Sequence, residues 1–120
     1  MTDLYKISRI THSNGFFSAE ITFNPTHPVF AGHFPGQPVV PGVVLVEVTA
    51  AVLSQITGKS LIVKEASVIK FLRVIDPDVN PSLLIDGSIV EEDNGYKANL
   101  VISSGETIYM KIKGMRFVHE

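Results

Sequence analysis

The 120-residue sequence contains no cysteine, and it has no surplus of basic residues. Without cysteine the chain can form neither a disulfide bond nor a thiolate metal site, and it cannot use a cysteine nucleophile. Its formal net charge of -2 argues against nucleic acid as the main partner, because nucleic-acid-binding domains usually carry a basic surplus on one face. These absences exclude a disulfide scaffold and a cysteine-dependent enzyme.

Long apolar runs are also missing. No segment reaches the roughly 18 to 20 apolar residues that span a membrane, and residues 1–6 lack the basic start and apolar stretch of a signal peptide. Apolar residues make up 45% of the chain and charged residues 18%, a balance typical of globular proteins. We therefore expect one cytoplasmic domain over residues 1–120, with no membrane partner.

Turn signals and alternating residues predict a chain rich in β-strands. The runs 4–12 and 16–23 flank Asn14-Gly15, a dipeptide typical of β-hairpins. Further strands are predicted at 60–75, 82–91, 96–104 and 107–118, with turns at Asp93-Asn94-Gly95 and Ser104-Gly105. The pattern contains no βαβ unit, so we expect an antiparallel meander after the helix described next.

One helix is predicted over residues 43–57, although valine is frequent there. The segment is long for a strand, Pro41 suits a first helical turn and Gly58 suits a C-cap. The helix is apolar nearly all round, which predicts burial. Residues 24–41 before it are rich in proline and predict a long loop that continues neither a helix nor a sheet. The simplest arrangement is an α+β fold, a curved antiparallel sheet wrapped around one helix.

Glu47 is the only ionisable residue between His33 and Lys59, and it lies within this helix. Burial would favour its protonated form unless it had a strong partner, and either state suits acid and base catalysis. The alternative is a structural glutamate on the one exposed edge of the helix. His33 lies between glycines in a loop stiffened by proline, and this loop leads directly into the helix. We therefore expect His33 and Glu47 to meet at one helix end.

The start of the helix adds a third element. Free backbone amides there carry positive partial charge, and Gly42 has no side chain to keep a carbonyl oxygen away from its amide. The alternative is that Pro41-Gly42 merely begins a helix.

The run GHFPGQPVVPG at 32–42, followed by Glu47, resembles the signature of the FabZ-type 3-hydroxyacyl-acyl carrier protein dehydratases. The run KFLR at 70–73 is similar to a later strand of that family, so the resemblance covers residues 24–75 well. It implies a hotdog fold and dehydration of a 3-hydroxyacyl-acyl carrier protein thioester to the trans-2-enoyl thioester. Fatty-acid or related polyketide-like synthesis would be the setting, and the family uses no metal or cofactor.

The resemblance also implies roles for residues. His33 would take the proton from C2, Glu47 would give one to the departing 3-hydroxyl, and the Gly42 amide would polarise the thioester carbonyl. The family forms a homodimer, or a higher oligomer built from dimers, in which the histidine of one subunit works with the acid of the other. A folded monomer would then lack a complete site.

Weaker candidates surround these residues. Phe30, Phe34 and Pro41 would line the acyl path, with core packing as the alternative for the two phenylalanines. Lys70, Arg73, Lys111 and Lys113 would dock an acidic carrier protein, although alternating lysines on a strand are usually just its solvated face.

Other readings stay open. His27 could pair with His33 around a metal, but no third ligand has suitable spacing, and a surface or loop-packing role fits His27 better. A hotdog thioesterase would use Glu47 to activate water for hydrolysis. A non-catalytic acyl-binding or partner subunit is the third reading, because Ala51 replaces a glutamine that supports the acid in the family.

Overall fold

The computed structural model describes residues 4–32 and 39–120. Those residues form six strands and two helices. In chain order they are β1 (Tyr5–Ser13), β2 (Phe16–Phe23), α1 (Pro28–Gly32), α2 (Gly42–Thr57), β3 (Leu61–Phe71), β4 (Ser82–Glu92), β5 (Gly95–Ser104) and β6 (Thr107–His119).

The six strands form one antiparallel sheet in the order β1-β2-β4-β5-β6-β3. Helix α2 comes closest to the two edge strands, β1 and β3, as expected when a sheet curls around a helix. The predicted meander is confirmed for β4, β5 and β6. Strand β3, however, pairs with β6 and not with β4, which follows it in sequence. The chain therefore passes along α2 from the β1–β2 side of the sheet to its opposite edge.

Local signals placed the first hairpin and the main helix correctly. Asn14 and Gly15 have φ values of 52° and 80°, the left-handed conformation that a two-residue hairpin turn requires at both positions. Helix α2 begins at Gly42, directly after Pro41, and it ends at Gly58, whose φ is 72° and whose N–H donates to Ser54 O at 2.9 Å. The glycine C-cap is thus confirmed.

The predicted strand 60–75 is too long. Strand β3 ends at Phe71, and the Val40 N–H donates to Ile75 O at 2.9 Å. This hydrogen bond ties the segment after β3 to the segment before α2, so residues 72–75 leave the sheet and lie beside the helix start.

The prediction that the proline-rich segment contains no helix is also wrong, because α1 lies within it. Pro28 occupies the first helical position, where the missing N–H would have no intrahelical acceptor in any case. His27 precedes it, and its Nδ1 accepts the Val29 N–H at 3.0 Å. His27 is only 8% exposed, and these contacts assign it a loop-packing role.

The core lies between the inner face of the sheet and α2. The predicted alternation is confirmed on β4, where Leu83, Ile85 and Ile89 are buried, and on β5 for Ala98, Leu100 and Ile102, whereas Tyr96 is only half-buried. On β6, Met110 and Ile112 are buried as predicted, whereas Ile108 is 36% exposed. Helix α2 contributes a buried stripe of Val44, Leu45, Val48, Thr49, Val52 and Leu53. Within the described ranges, neither helix is long and apolar enough to span a bilayer.

Candidate active site

The start of α2 presents backbone amides without helical partners. Pro41 is extended, with φ -62° and ψ 143°, and its carbonyl accepts hydrogen bonds from Val44 N at 3.0 Å and Leu45 N at 3.3 Å. The amides of Gly42 and Val43 precede these first helical hydrogen bonds. Neither amide donates to a backbone carbonyl within residues 4–32 and 39–120. Unpaired amides at a helix N-terminus carry positive partial charge and suit an oxygen that gains negative charge.

A cavity of about 460 Å³ adjoins these amides. Among the described residues, its lining is mostly apolar and Arg73 is the one charged side chain. This composition suits an acyl chain near a polar head. A Cβ on Gly42 would lie 3.0 Å from Cε1 and Cζ of Phe71, so glycine leaves the space open. The lining residues are Val39, Val40, Pro41, Gly42, Leu45, Phe71, Leu72, Arg73, Val74 and Ile75. Three predicted site residues, Pro41, Gly42 and Arg73, thus come together.

Glu47 does not line this cavity within one chain. The prediction that the whole helix is buried is wrong: Glu47 is exposed, and Val43, one turn before it, is 77% exposed. The side chain therefore lies on the exposed edge of the helix, which was the alternative to a buried position. With 3.6 residues per turn, Gly42 and Glu47 point to different sides of α2. A single chain consequently separates the carboxylate from the cavity.

The remaining predicted residues have different outcomes. His33 and Phe34 lie outside the described residues, and their roles stay predictions. Phe30 is 4% exposed and belongs to the hydrophobic core, so it packs there and does not line the cavity. Lys70 is exposed on β3 and is likewise absent from the cavity wall.

Lys70 lies in a basic surface together with two lysines of β6. It is the direct cross-strand partner of Lys111, and Lys113 is the partner of Val68. Like charges directly opposite each other destabilise a strand pair. The ion pairs within the described part of the chain involve Arg9 and Arg116 with Glu20, Glu65 and Glu92, and none of these three lysines takes part. Their positive charge is therefore available to an acidic partner.

Tyr5, at the start of β1, is a titratable residue that the sequence did not single out. It is half-buried, and its ring packs edge-on against Phe23 with centroids 6.1 Å apart and an interplanar angle of 61°. Burial raises the pKa of Tyr5, and the negative charge of Glu47 raises it further. Alternation along β1 predicts that Tyr5 and Ile7 share one face of the strand. It does not predict which residue of α2 faces that end of β1.

A second cavity, of about 520 Å³, is lined by residues of β2, β4, β5 and β6, among them Phe16, Asp86, Lys111 and Lys113. It shares no lining residue with the cavity at the helix start. Across residues 4–32 and 39–120, no three histidine or acidic side chains come together in a way that could hold a metal ion.

Comparison with protein families gives one match over most of the chain. The family model described as ApeI-like, ApeI dehydratase, matches residues 9–109.

Three curated relatives share the name 3-hydroxyacyl-[acyl-carrier-protein] dehydratase FabZ. The protein from Dinoroseobacter shibae is 39% identical over 56 residues, which is 47% of this chain and 33% of the relative. The protein from Roseobacter denitrificans is 29% identical over 89 residues, 71% of this chain and 57% of the relative. The protein from Caldicellulosiruptor saccharolyticus is 32% identical over 105 residues, 74% of this chain and 71% of the relative. The chain therefore spans about a third and just over half of the first two relatives.

Two solved structures show the same architecture. The dehydratase heterocomplex ApeI:P from Xenorhabdus doucetiae superposes with a TM-score of 0.73 at 16% identity, covering 95% of this chain and 97% of that one. A hypothetical thioesterase with coenzyme A from Streptococcus pneumoniae gives 0.61 at 14% identity, covering 95% and 84%. Identities this low speak for the fold alone, and the predicted hotdog fold is confirmed.

Proposed function

We propose, from the premise that this chain belongs to the ApeI-like dehydratase family, that it removes water from a 3-hydroxyacyl-acyl carrier protein thioester to give the trans-2-enoyl thioester. The FabZ-named relatives support this substrate class and a place in fatty-acid or related polyketide-like synthesis. The observation that carries the proposal is the Glu47 carboxylate, which is exposed and is the only ionisable side chain of helix α2. The first turn of that helix opens onto an apolar cavity.

The residues would divide the reaction between them. The imidazole of His33 takes the proton from C2, and the Gly42 N–H donates a hydrogen bond to the thioester oxygen, where negative charge develops. Glu47 in its protonated form donates to the 3-hydroxyl, the C3–O bond breaks, and the C2–C3 double bond forms as water leaves. The proton held by His33 replaces the one that Glu47 gave up, so neither a metal nor a cofactor is needed in this scheme.

A homodimer would complete the site. Strand β3 is an edge of the sheet, and it exposes Ile62, Val68 and Phe71 at 46%, 40% and 56%. An exposed apolar edge strand is a template for pairing with another chain, and the exposed Val43 on α2 extends the apolar surface. A second copy that covers this surface would bring Glu47 of one subunit towards the cavity of the other. Higher oligomers would be built from such dimers.

The direct test is to incubate the purified protein with a 3-hydroxyacyl-acyl carrier protein. We expect an absorbance increase from the conjugated enoyl thioester, together with loss of one water in the mass of the carrier-bound product. Free carrier thiol instead would indicate a thioesterase. If neither product formed with any acyl length, catalysis by this chain alone would be refuted. A non-catalytic subunit of a heterocomplex, the kind of assembly named for the Xenorhabdus structure, would then fit better.

Carrier docking gives a second expected result. An acyl carrier protein is acidic, so Lys70→Glu or Arg73→Glu should raise the KM for a carrier-linked substrate by about tenfold through charge repulsion. For Lys70→Glu, the KM for the same acyl group on pantetheine should change less than about twofold, since that substrate lacks the acidic surface and Lys70 does not line the cavity.

Lys59→Glu provides the matched control for this measurement. Lys59 is exposed directly after Gly58, at the opposite end of α2 from the cavity, and its reversal should leave both KM values unchanged. Equal effects of all three reversals on the carrier-linked substrate would contradict a docking surface at Lys70 and Arg73.

A further inference from the structure

The segment between β3 and β4 forms one wall of the cavity at the helix start. We call residues 72–81 the crossover segment, because they carry the chain from β3, at the edge of the sheet, past β6 and β5 to β4. The residues of this segment that line the cavity are Leu72, Arg73, Val74 and Ile75. The position of the crossover segment therefore sets the size of the cavity.

Few side chains of the crossover segment pack against the core. Ile75 and Pro77 are buried, whereas Leu72, Val74 and Val79 are 49%, 75% and 70% exposed. Packing consequently fixes only the middle of the segment. Its two ends depend on hydrogen bonds, and a region with few buried apolar contacts opens at a low cost in free energy.

Tyr109, near the start of β6, bonds to both ends of the crossover segment. Its carbonyl oxygen accepts hydrogen bonds from the N–H groups of Leu72 and Arg73 at 2.8 and 3.3 Å. Its hydroxyl accepts a hydrogen bond from Asn80 Nδ2 at 3.0 Å. Tyr109 is only 6% exposed, and a buried hydroxyl needs a hydrogen-bond partner, which Asn80 provides.

These contacts reach the start of α2 through two further hydrogen bonds. The turn after Ile75 is closed by the Asn80 N–H, which donates to Asp76 O at 2.9 Å, so Asn80 and Ile75 move together. Ile75 O in turn accepts the Val40 N–H at 2.9 Å, directly before α2 begins. The Tyr109 hydroxyl is thus connected to both walls of the cavity, although Tyr109 itself does not line it.

We propose that Tyr109 is a positioning residue that limits the size of the acyl group. Its hydroxyl, through Asn80, holds the crossover segment against the cavity. The outer side of this segment is exposed, so a segment released from Tyr109 can move outward and enlarge the cavity. The inference rests on the proposed function for its consequence on substrate choice.

Kinetics of Tyr109→Phe test the effect on substrate choice, since this change removes only the hydroxyl. The measured quantity is the ratio of kcat/KM for 3-hydroxydecanoyl-pantetheine to kcat/KM for 3-hydroxybutanoyl-pantetheine. We expect this ratio to rise about fivefold, as for loss of one neutral hydrogen bond, mainly through a lower KM for the long chain. The kcat for the short chain should change less than about twofold. A purely structural defect would lower the rates with both substrates alike and leave the ratio unchanged.

Two further variants sharpen this measurement. Asn80→Ala should raise the ratio as much as Tyr109→Phe, and the double variant should raise it no further, because both changes remove the same hydrogen bond. Tyr96→Phe is the matched control, since Tyr96 is half-buried on β5 and does not line the cavity. A ratio that does not rise in Tyr109→Phe, or that rises equally in Tyr96→Phe, would overturn the inference.

Amide hydrogen exchange tests the positioning without any substrate. In Tyr109→Phe, exchange at the amides of Val40 and Leu72 should become about fivefold faster, because both amides bond to or belong to the crossover segment. The Gly58 amide, which bonds to Ser54 O at the far end of α2, should be unaffected. Unchanged exchange at Val40 and Leu72 would refute the positioning role. Faster exchange in a protein that makes no enoyl product would refute the proposed function and still support the positioning.

Discussion

Glu47→Gln is expected to remove nearly all dehydratase turnover while the chain stays folded. The amide cannot give a proton to the departing hydroxyl, and general acid catalysis is worth about a hundred- to ten-thousandfold in rate. The side chain is exposed and contributes little to the core, so the free energy of unfolding should change by less than about 0.5 kcal/mol. Steady-state rates with a 3-hydroxyacyl-acyl carrier protein and urea unfolding of both proteins provide the two measurements. The same loss of turnover is expected for His33→Ala.

Gln55→Ala is the matched control for Glu47→Gln, because Gln55 is exposed on the same helix two turns further along. It should retain full turnover. Retention of more than a small fraction of activity in Glu47→Gln would remove Glu47 from the role of acid, even if the protein proved to be a dehydratase.

Mixing the two inactive variants is expected to restore activity. If each site takes its histidine from one subunit and its acid from the other, a heterodimer of His33→Ala and Glu47→Gln has one intact site and one doubly altered site. Random exchange of subunits should then return about a quarter of the wild-type activity, since half of the dimers are mixed and each has one working site. Activity before and after a cycle of dissociation and reassociation gives the measurement.

Subunit exchange must be shown independently, for example by native mass spectrometry of differently tagged chains. Proven exchange with no recovered activity would contradict the shared site and would require Glu47 and the cavity to meet within one chain. The exposed position of Glu47, away from the residues that line the cavity, is the reason to expect recovery.

Local chemistry made much of the fold predictable. Asn14-Gly15 specifies a tight hairpin, and Gly58 specifies the end of α2, because each adopts a backbone conformation that few other residues tolerate. Buried and exposed residues alternate along parts of β4 and β5 because one face of each strand contacts the core. The pairing of β3 with β6 was missed for a physical reason: turn residues determine neighbours only across short connections, and the two strands β4 and β5 intervene here.

The candidate site was predictable only where the chain itself places residues together. Pro41 and Gly42 are adjacent in sequence and line the same cavity as Arg73. Glu47 was expected to be buried because most of helix α2 is apolar. Overall hydropathy does not show which face of such a helix packs on the core. Tyr5 gave no signal, because the sequence alone does not fix the rotation of α2 above β1.

The pairing of β3 exclusively with β6 has a consequence for synthesis on the ribosome. Strand β3 is complete long before β6 has been made, and it has no other partner in the sheet. Its apolar residues therefore stay uncovered while β4 and β5 are translated, a period in which a strand of this kind is prone to aggregate. Strand β3 can pair only once β6 has been synthesised, so the rate of translation through β4, β5 and β6 sets how long the apolar residues of β3 lack their strand partner.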